Sequence, residues 1–363
     1  MSIPSNAALS VSPARLTYVA VMIGIPVLRV WTDISNLYQM VKQGVSVTWS
    51  AKTNLSSCPD TTSIYSCASN AKCLPSVAIV IVDYNGVAET TCCLASVNAI
   101  DYGNYDVYLV DNGGNCSTKL QAVASTYARV HYLRSNENLG FSGGNNFALK
   151  KLDADYDFVL LLNNDTVVTP DFLSRLIESA DDRALVGSKI YYWSDKNLIW
   201  YAGGGSSRTI CRSWHNGFRK LEENYDDKGS REVGFISGCC MLIPSKALID
   251  IGFLDESYFL YLEDTDYCFR AMDAGYRLRY NSDSVIYHCV SASTGDASAL
   301  MNYYKIRNRQ YFIDRYSTNK PLSKFLAYCE IAAGLLIGKY KSNSVKKALH
   351  DYRMGITGKV QEG

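Results

Sequence analysis

From Val77 onward, apolar and polar positions alternate between two kinds of segment. "VAIVIVDY" (77–84) is a continuous apolar run, as expected of a strand buried on both faces of a parallel sheet. The helical stretch "AETTCCLASVNAI" follows, then the strand "DVYLVDN", a helix around Thr118–Ala128, and the short strand "RVHYLR". "NLGFSGGNNFALKKL" predicts a glycine-rich turn opening a helix, and "DFVLLLNND" a further buried strand. This alternation predicts an α/β fold with a mostly parallel sheet flanked by helices. In such sheets ligands bind beyond the carboxyl ends of the strands, near the point where strand order reverses. The polar residues closing those strands are therefore candidates: Asp83 and Asn85, Asp111 and Asn112, Asn163 and Asp165.

Between Leu185 and His288 the pattern is less regular. "GSKIYYW", "LIWYAGGG" and "EVGFISGCCMLIP" read as strands among loops that extend the sheet and build an acceptor side. "YFLYLEDTDYCFRAMDAGY" (258–276) leads through aromatics into Glu263, Asp264 and Asp266, then into an amphipathic helix closed by Gly275. Acidic residues there need no function, because the positive end of a helix dipole favours them. Asp266 is also placed to pair with Arg270 one turn later. From Asn302 the chain reads as helical. Residues 1–75 differ: a helix through "VLRVWTDISNLYQMVKQG", stopped by Gly44, precedes a Ser/Thr/Cys-rich connector. Three segments are expected: an N-terminal extension and linker (1–75), a main α/β domain (76–300) and a helical C-terminal part (301–363).

Composition narrows this picture only slightly. A hydrophobic fraction of 47% with 20% charged residues is that of a globular chain. A net charge of +1 supplies no global field for nucleic acid or a strongly acidic partner. The 27 tyrosines suit sugar platforms as well as a core. Most of the 12 cysteines read as small buried hydrophobes, while Cys58, Cys67 and Cys73 form a cluster open to a metal or a disulfide. "YVAVMIGIPVL" (18–28) is too short to span a bilayer, and no cleavage pattern of a signal peptide follows it. "FLAYCEIAAGLLIGKYK" (325–341), followed by Lys346, Lys347 and Arg353, suits either an amphipathic helix on an anionic membrane surface or a helix packed on its own domain. A cytoplasmic location is expected, peripheral at the inner face of the membrane in the first case.

Three groups carry candidate chemistry. Asn163, Asn164 and Asp165 end a strongly apolar strand, and their oxygens suit a hard cation such as Mg²⁺ or Mn²⁺, which can bridge and neutralise a diphosphate. A plain turn leading to Pro170 explains the same residues. "NLGFSGGNN", which includes Gly143, offers backbone amides to a phosphate, or merely a tight turn. It matches neither a Walker loop nor G-x-G-x-x-G, which argues against a P-loop kinase and a nicotinamide dehydrogenase. His288 in "VIYHCVSAS" closes a short predicted strand and is either a metal ligand or structural.

Taken in order, "VAIVIVDYNG", "VYLVDNGG", "NENLGFSGGNN", "VLLLNNDTVVTPDFL", "VGFISGCCMLI", "GFLDESYFLYLEDTDYCFRAMDAGY", "VIYHCVSAST" and "YYKIRNRQYF" resemble the family-2 glycosyltransferases, in the branch related to bacterial rhamnosyltransferases. The resemblance covers roughly residues 75–315. It implies a GT-A fold and inverting transfer of a sugar from a nucleoside diphosphate sugar, a UDP- or dTDP-sugar, to a hydroxyl of a glycan or lipid-linked acceptor. It implies base and ribose contacts by Asp83, Asn85 and Asp111, with Asn112, Gly143 and Asn164 beside them. Asn163 and Asp165 stand at the family's metal-binding DxD motif, and His288 at a histidine that often completes the metal site. Asp264 matches the catalytic base of the "ED" motif, flanked by Glu263. The chain departs from the pattern in "DNGGNCS", which lacks the usual Ser-Thr-Asp, and in Asn163, a weaker ligand than Asp.

In-line displacement at an anomeric carbon needs one base opposite the leaving diphosphate, and no pair of flanking carboxylates as in glycoside hydrolysis. Asp264 fills that role only if no ion pair holds it, and pairing of Asp266 with Arg270 would leave it free. Two other readings compete: a fold that binds sugar nucleotide without turnover, and a nucleotidyltransferase. The first expects a decayed base and the second a basic triphosphate loop. Neither is found in the sequence.

Overall fold

The computed structural model describes residues 74–289 and 299–360. The helix and the cysteine cluster expected before Leu74 lie outside the described residues.

The first half alternates as its sequence predicts: β1 (Val77–Asp83), α1 (Val87–Val97), β2 (Tyr105–Asn112), α2 (Ser117–Ala124), β3 (Val130–Ser135), α3 (Gly140–Leu149) and β4 (Phe158–Asn163). These strands stand in the order β3-β2-β1-β4, all parallel. Val77, Ile79, Val80 and Ile81 have no exposed surface, and each such side chain contributes about 1.5–3 kcal/mol by leaving water. Strand order reverses between β1 and β4. A crevice between their exit loops is the consequence.

The second half adds β5 (Thr166–Val168), α4 (Phe172–Glu178), β6 (Ala184–Tyr192), β7 (Asp195–Tyr201), β8 (Gly204–Ser207), β9 (Arg212–His215), β10 (Ser230–Glu232), β11 (Cys240–Pro244), α5 (Ser245–Ile251), α6 (Glu263–Asp273) and β12 (Arg277–His288). β11 runs antiparallel to β4, pairing Cys240 with Leu162, and β6 and β12 continue the ten-stranded sheet beyond it. The mostly parallel character thus belongs to the central strands, and most later additions are antiparallel. Two expectations change. "EVGFISG" forms no continuous strand, because the chain turns at Ser237–Cys239 before β11 begins. His288 ends a strand of twelve residues rather than a short one.

Three helices follow: α7 (Ala299–Tyr316), α8 (Lys320–Leu336) and α9 (Ser342–Arg353). Tyr258 and Phe269 pack with Phe312, Ile313, Tyr316 and Ala327, while Phe259 packs with Tyr303, Tyr304, Ile331 and Val345. The aromatic lead-in to α6 is thereby embedded in the helical part. Gly140 makes the other side of that junction. Its φ is +73°, and a Cβ there would lie 2.2 Å from the Phe259 carbonyl oxygen, so only glycine fits.

Cys92, Cys93, Cys211, Cys239, Cys240, Cys268 and Cys289 are buried, as expected of small hydrophobes, and Cys116 and Cys329 are exposed. All of these are free thiols.

Candidate active site

The exit loops of β1, β2 and β4 are tied together by the residues that close them. Asp83 Oδ1 accepts from the Gly86 amide at 3.0 Å, Thr90 Oγ1 at 2.7 Å and Asn164 Nδ2 at 3.1 Å. Burial raises the Asp83 pKa, and the Asp111 charge pushes the same way against the lowering hydrogen bonds. Asn85 adopts a left-handed φ of 61°, which Asn tolerates, and its Oδ1 accepts the Asn115 amide at 2.7 Å. Asp111 accepts from the Gly114 amide at 3.1 Å and the Tyr132 hydroxyl at 2.7 Å. Asp83, Asn85, Asp111 and Asn164 are therefore braced groups at the strand exits rather than free ones, with Asp83 and Asp111 buried.

Two sequence candidates are accounted for by packing instead. Asn112 is buried, and its amide donates to Gly140 O at 3.0 Å and Asn138 Oδ1 at 3.2 Å while its oxygen accepts the Leu139 amide. It pins the turn before α3. Gly143 lies inside α3, where a Cβ would come within 2.8 Å of Leu139 Cβ. Its amide belongs to the helix ladder, not to an open phosphate cradle.

Asp165 and His288 meet just beyond β4, whose last residue is Asn163. Pairing of β5 with β12 sets His288 opposite Thr166, and the Cys289 amide donates to Asp165 O at 2.7 Å. His288 Nε2 consequently faces Asp165 Oδ1 at 3.1 Å. The two are close yet misaligned, so Asp165 Oδ1 is a buried oxygen without a hydrogen-bond partner, and His288 Nδ1 is likewise unpartnered. The Trp200 ring stands edge-on to His288 with centroids 4.7 Å apart. A carboxylate oxygen without a hydrogen bond, facing imidazole Nε2, suits a divalent cation, whereas Nδ1 points out of the other side of the ring. Among the described residues no group of three or more His, Cys, Asp or Glu side chains forms a metal shell. Asn163 Oδ1 and oxygens of a bound anion would have to complete one.

The acidic cluster sits at the start of α6. Tyr261 and Leu262 both have positive φ, 71° and 75°, each costing about 1–3 kcal/mol in a non-glycine residue. This strained pair swings the chain so that α6 begins at Glu263. Asp266 pairs with Arg270 Nε at 2.8 Å as expected, and also with the Tyr316 hydroxyl and Arg315. Asp264 is left out of those pairs. Its Oδ2 accepts the Gly238 amide at 3.1 Å and its Oδ1 the Thr265 amide at 2.7 Å. Burial raises its pKa despite these hydrogen bonds. Glu263 is more deeply buried, its Oε2 has no partner, and burial followed by the Asp264 charge pushes its pKa well up.

The turn at 237–240 joins the two clusters. Gly238 N holds Asp264, and Cys239 O accepts the Asn163 amide at 3.0 Å. Nothing in the residue pattern signals this bridge, nor the position of Trp200 beside His288.

Residues 78–252 match the family described as glycosyl transferase family 2. The chain carries a family-2 glycosyltransferase domain. N-acetylglucosaminyl-diphospho-decaprenol L-rhamnosyltransferase of Mycobacterium tuberculosis is 26% identical over 261 residues, covering 66% of this chain and 84% of that protein. The dTDP-rhamnosyl transferase RfbF of Shigella flexneri is 24% identical over 297 residues, covering 77% of this chain and 96% of that protein. Among solved structures, GalNAc-T7 with UDP, GalNAc and Mn²⁺ superposes on 78% of this chain and 55% of its own, with a TM-score of 0.57 at 13% identity. That likeness shows the fold alone, which is GT-A. The transferase is thus related to bacterial rhamnosyltransferases.

The buried Glu263 makes a stability prediction. Its raised folded-state pKa means that its contribution to folding is fully present below the ordinary value of 4.5 and is lost as pH rises through the folded value. Glu263→Gln should therefore raise Tm by about 2–4 °C at neutral pH, with the gain vanishing near pH 4, in thermal melts across pH. A gain independent of pH would contradict the assignment.

Proposed function

We propose that the transferase moves a sugar, with inversion, from a UDP- or dTDP-sugar to a hydroxyl of a glycan or lipid-linked acceptor, with Asp264 as general base. The observation that carries this reading is the 237–240 turn, which holds Asp264 on one side and the Asn163 backbone on the other. It links Asp264 to the end of β4, the strand whose exit leads to Asp165. A base on one side of a sugar-sized gap and a cation site on the other are what in-line displacement needs.

Asp264 receives the acceptor's proton as its oxygen attacks the anomeric carbon. The raised pKa makes this carboxylate a better proton acceptor near neutral pH than an exposed Asp. Gly238 N and Thr265 N fix its orientation, and burial disfavours a second charge on the neighbouring Glu263. Asp83, Asn85, Asp111 and Asn164 stand at the strand exits on the nucleotide side. Asp165, His288 and Asn163 would hold Mg²⁺ or Mn²⁺, which when bound neutralises the diphosphate leaving group. Support for a cation comes from the unpartnered Asp165 Oδ1, which faces His288 Nε2 at 3.1 Å, and from the Mn²⁺ in the GalNAc-T7 structure. The M. tuberculosis relative is named for a decaprenol-linked acceptor and the Shigella relative for a dTDP-rhamnosyl donor, which favours a rhamnosyl donor and a polyprenol-linked acceptor here.

Asp264→Asn should lower transfer from dTDP-rhamnose or a UDP-sugar by at least about 100-fold while leaving donor binding intact. Asp165→Ala should weaken Mn²⁺-dependent binding of the nucleotide in a titration. Near-normal transfer by the Asp264→Asn variant would remove Asp264 from the role.

The C-terminal helices provide a membrane-facing surface in the same proposal. No helix of the described residues is long and apolar enough to cross a bilayer. α8 nevertheless leaves Phe325 64%, Leu336 88% and Ile337 76% exposed, with Lys339, Lys341, Lys346 and Lys347 exposed after them. An apolar face beside a lysine cluster complements an anionic lipid surface. The chain should sediment with vesicles containing phosphatidylglycerol and not with pure phosphatidylcholine. Phe325→Glu with Leu336→Glu should abolish that binding, and binding unchanged by the pair would exclude α8 as the contact.

A further inference from the structure

We infer that Asn308 of α7, itself held by Arg307, is the residue that positions Asp264. This rests on the reading of Asp264 as base, but the contacts stand independently of it. Chain direction at the start of α6 depends on the backbone of residues 257–262, and every carbonyl in that run has a donor. Ser257 O accepts the Gly358 amide at 2.8 Å and lies 3.5 Å from an Arg307 nitrogen. Tyr258 O accepts Ser142 Oγ at 3.0 Å, and Phe259 O the Phe141 amide at 2.9 Å. Leu262 O accepts the Asp266 amide within α6. Leu260 O and Tyr261 O, which frame the left-handed pair, are both held by one side chain. Asn308 Nδ2 donates to them at 2.8 and 3.1 Å.

Asn308 has no exposed surface, and its orientation is fixed from behind. Arg307, also fully buried, donates to Asn308 Oδ1 from Nε at 3.1 Å and from Nη2 at 2.9 Å. A guanidinium without water needs other partners. Arg307 finds them in the Tyr303 hydroxyl at 3.2 Å and in the faces of Tyr303 and Tyr304, at 5.2 and 5.0 Å from the ring centroids. The Tyr303 hydroxyl in turn donates to Asp351 of α9 at 2.7 Å. Because the amide oxygen is taken by Arg307, the Nδ2 hydrogens necessarily face the turn.

Two successive non-glycine residues do not remain left-handed unless the surroundings hold them. Loss of the two hydrogen bonds lets Tyr261 and Leu262 relax, and the shift is transmitted first to Glu263 and Asp264. The packing of Phe259 and Tyr258 against α7–α9 involves other side chains and survives. Asn308 is therefore a positioning residue for the base, with no contact to the nucleotide crevice.

The test compares Asn308→Asp and Asn308→Ala with the wild-type chain. Asp preserves size and the attraction to Arg307 but presents no donor to the two carbonyls. Hydrogen–deuterium exchange should quicken in peptides spanning 258–268 and stay unchanged in β1 and β4. Kd for UDP or dTDP with Mn²⁺ should stay within about twofold, while kcat falls by about 10- to 100-fold, the penalty of a reacting group displaced by roughly an ångström. Unchanged exchange at 258–268 together with full kcat in Asn308→Asp would overturn the inference. So would exchange that rises throughout the sheet with parallel loss of nucleotide binding, the signature of a general packing role. A wild-type chain that turns over no donor would sink the proposed reaction instead, and the exchange pattern would still decide whether Asn308 holds the turn.

Discussion

The antiparallel pairing of β11 against β4 is the constraint on which the rest of the site depends. A parallel strand in that place would enter from the opposite edge of the sheet and carry its leading turn away from the crevice. Because β11 runs the other way, its leading turn lies beside the last residue of β4. Gly238 and Cys239 then stand between the acidic start of α6 and the polar end of β4. The base candidate and the cation candidate come from segments far apart in the chain, and one tight turn sets both.

The neighbourhood of Asp264 combines two opposing electrostatic influences. Amide hydrogen bonds and the helix terminus favour its charged form, while burial disfavours it, and burial wins. Asp266, two residues on, has its charge answered by Arg270, Arg315 and Tyr316. The same short helix thus holds one carboxylate committed to structure, one left out of ion pairs, and one, Glu263, whose ionisation burial disfavours. Spacing along the helix separates these fates, since the three side chains point in different directions around its first turn.

Much of this was legible in the sequence, for identifiable reasons. Strands β1 and β4 are covered on both faces, so they read as unbroken apolar runs, and polar residues mark where they leave the sheet. The Asp266–Arg270 pair follows from helical spacing. Strand direction does not leave a trace in hydropathy, so β11 could be found but not oriented, and the turn at Ser237–Cys239 hides inside an apolar stretch. The meeting of His288 with Asp165 depends on the register of β5 on β12, a pairing between distant segments. Asn112 and Gly143 read as ligands because strand ends and glycine turns usually face the crevice; here the packing of α3 claims both. Arg307 and Asn308 look like residues of a solvated helix face, and only the fold reveals that they are enclosed.

The distribution of thiols has a practical consequence. Burial pushes Cys240 up to about 11 and Cys93 to about 12, so neither supplies thiolate at ordinary pH. Among the described residues, a maleimide would meet only Cys116 and Cys329 on the surface. Cys329 lies on α8, in the stretch from Phe325 to Ile337. A polarity-sensitive fluorophore attached there, with Cys116 replaced, would report on the surroundings of that helix, and none of the buried cysteines among the described residues would have to be removed.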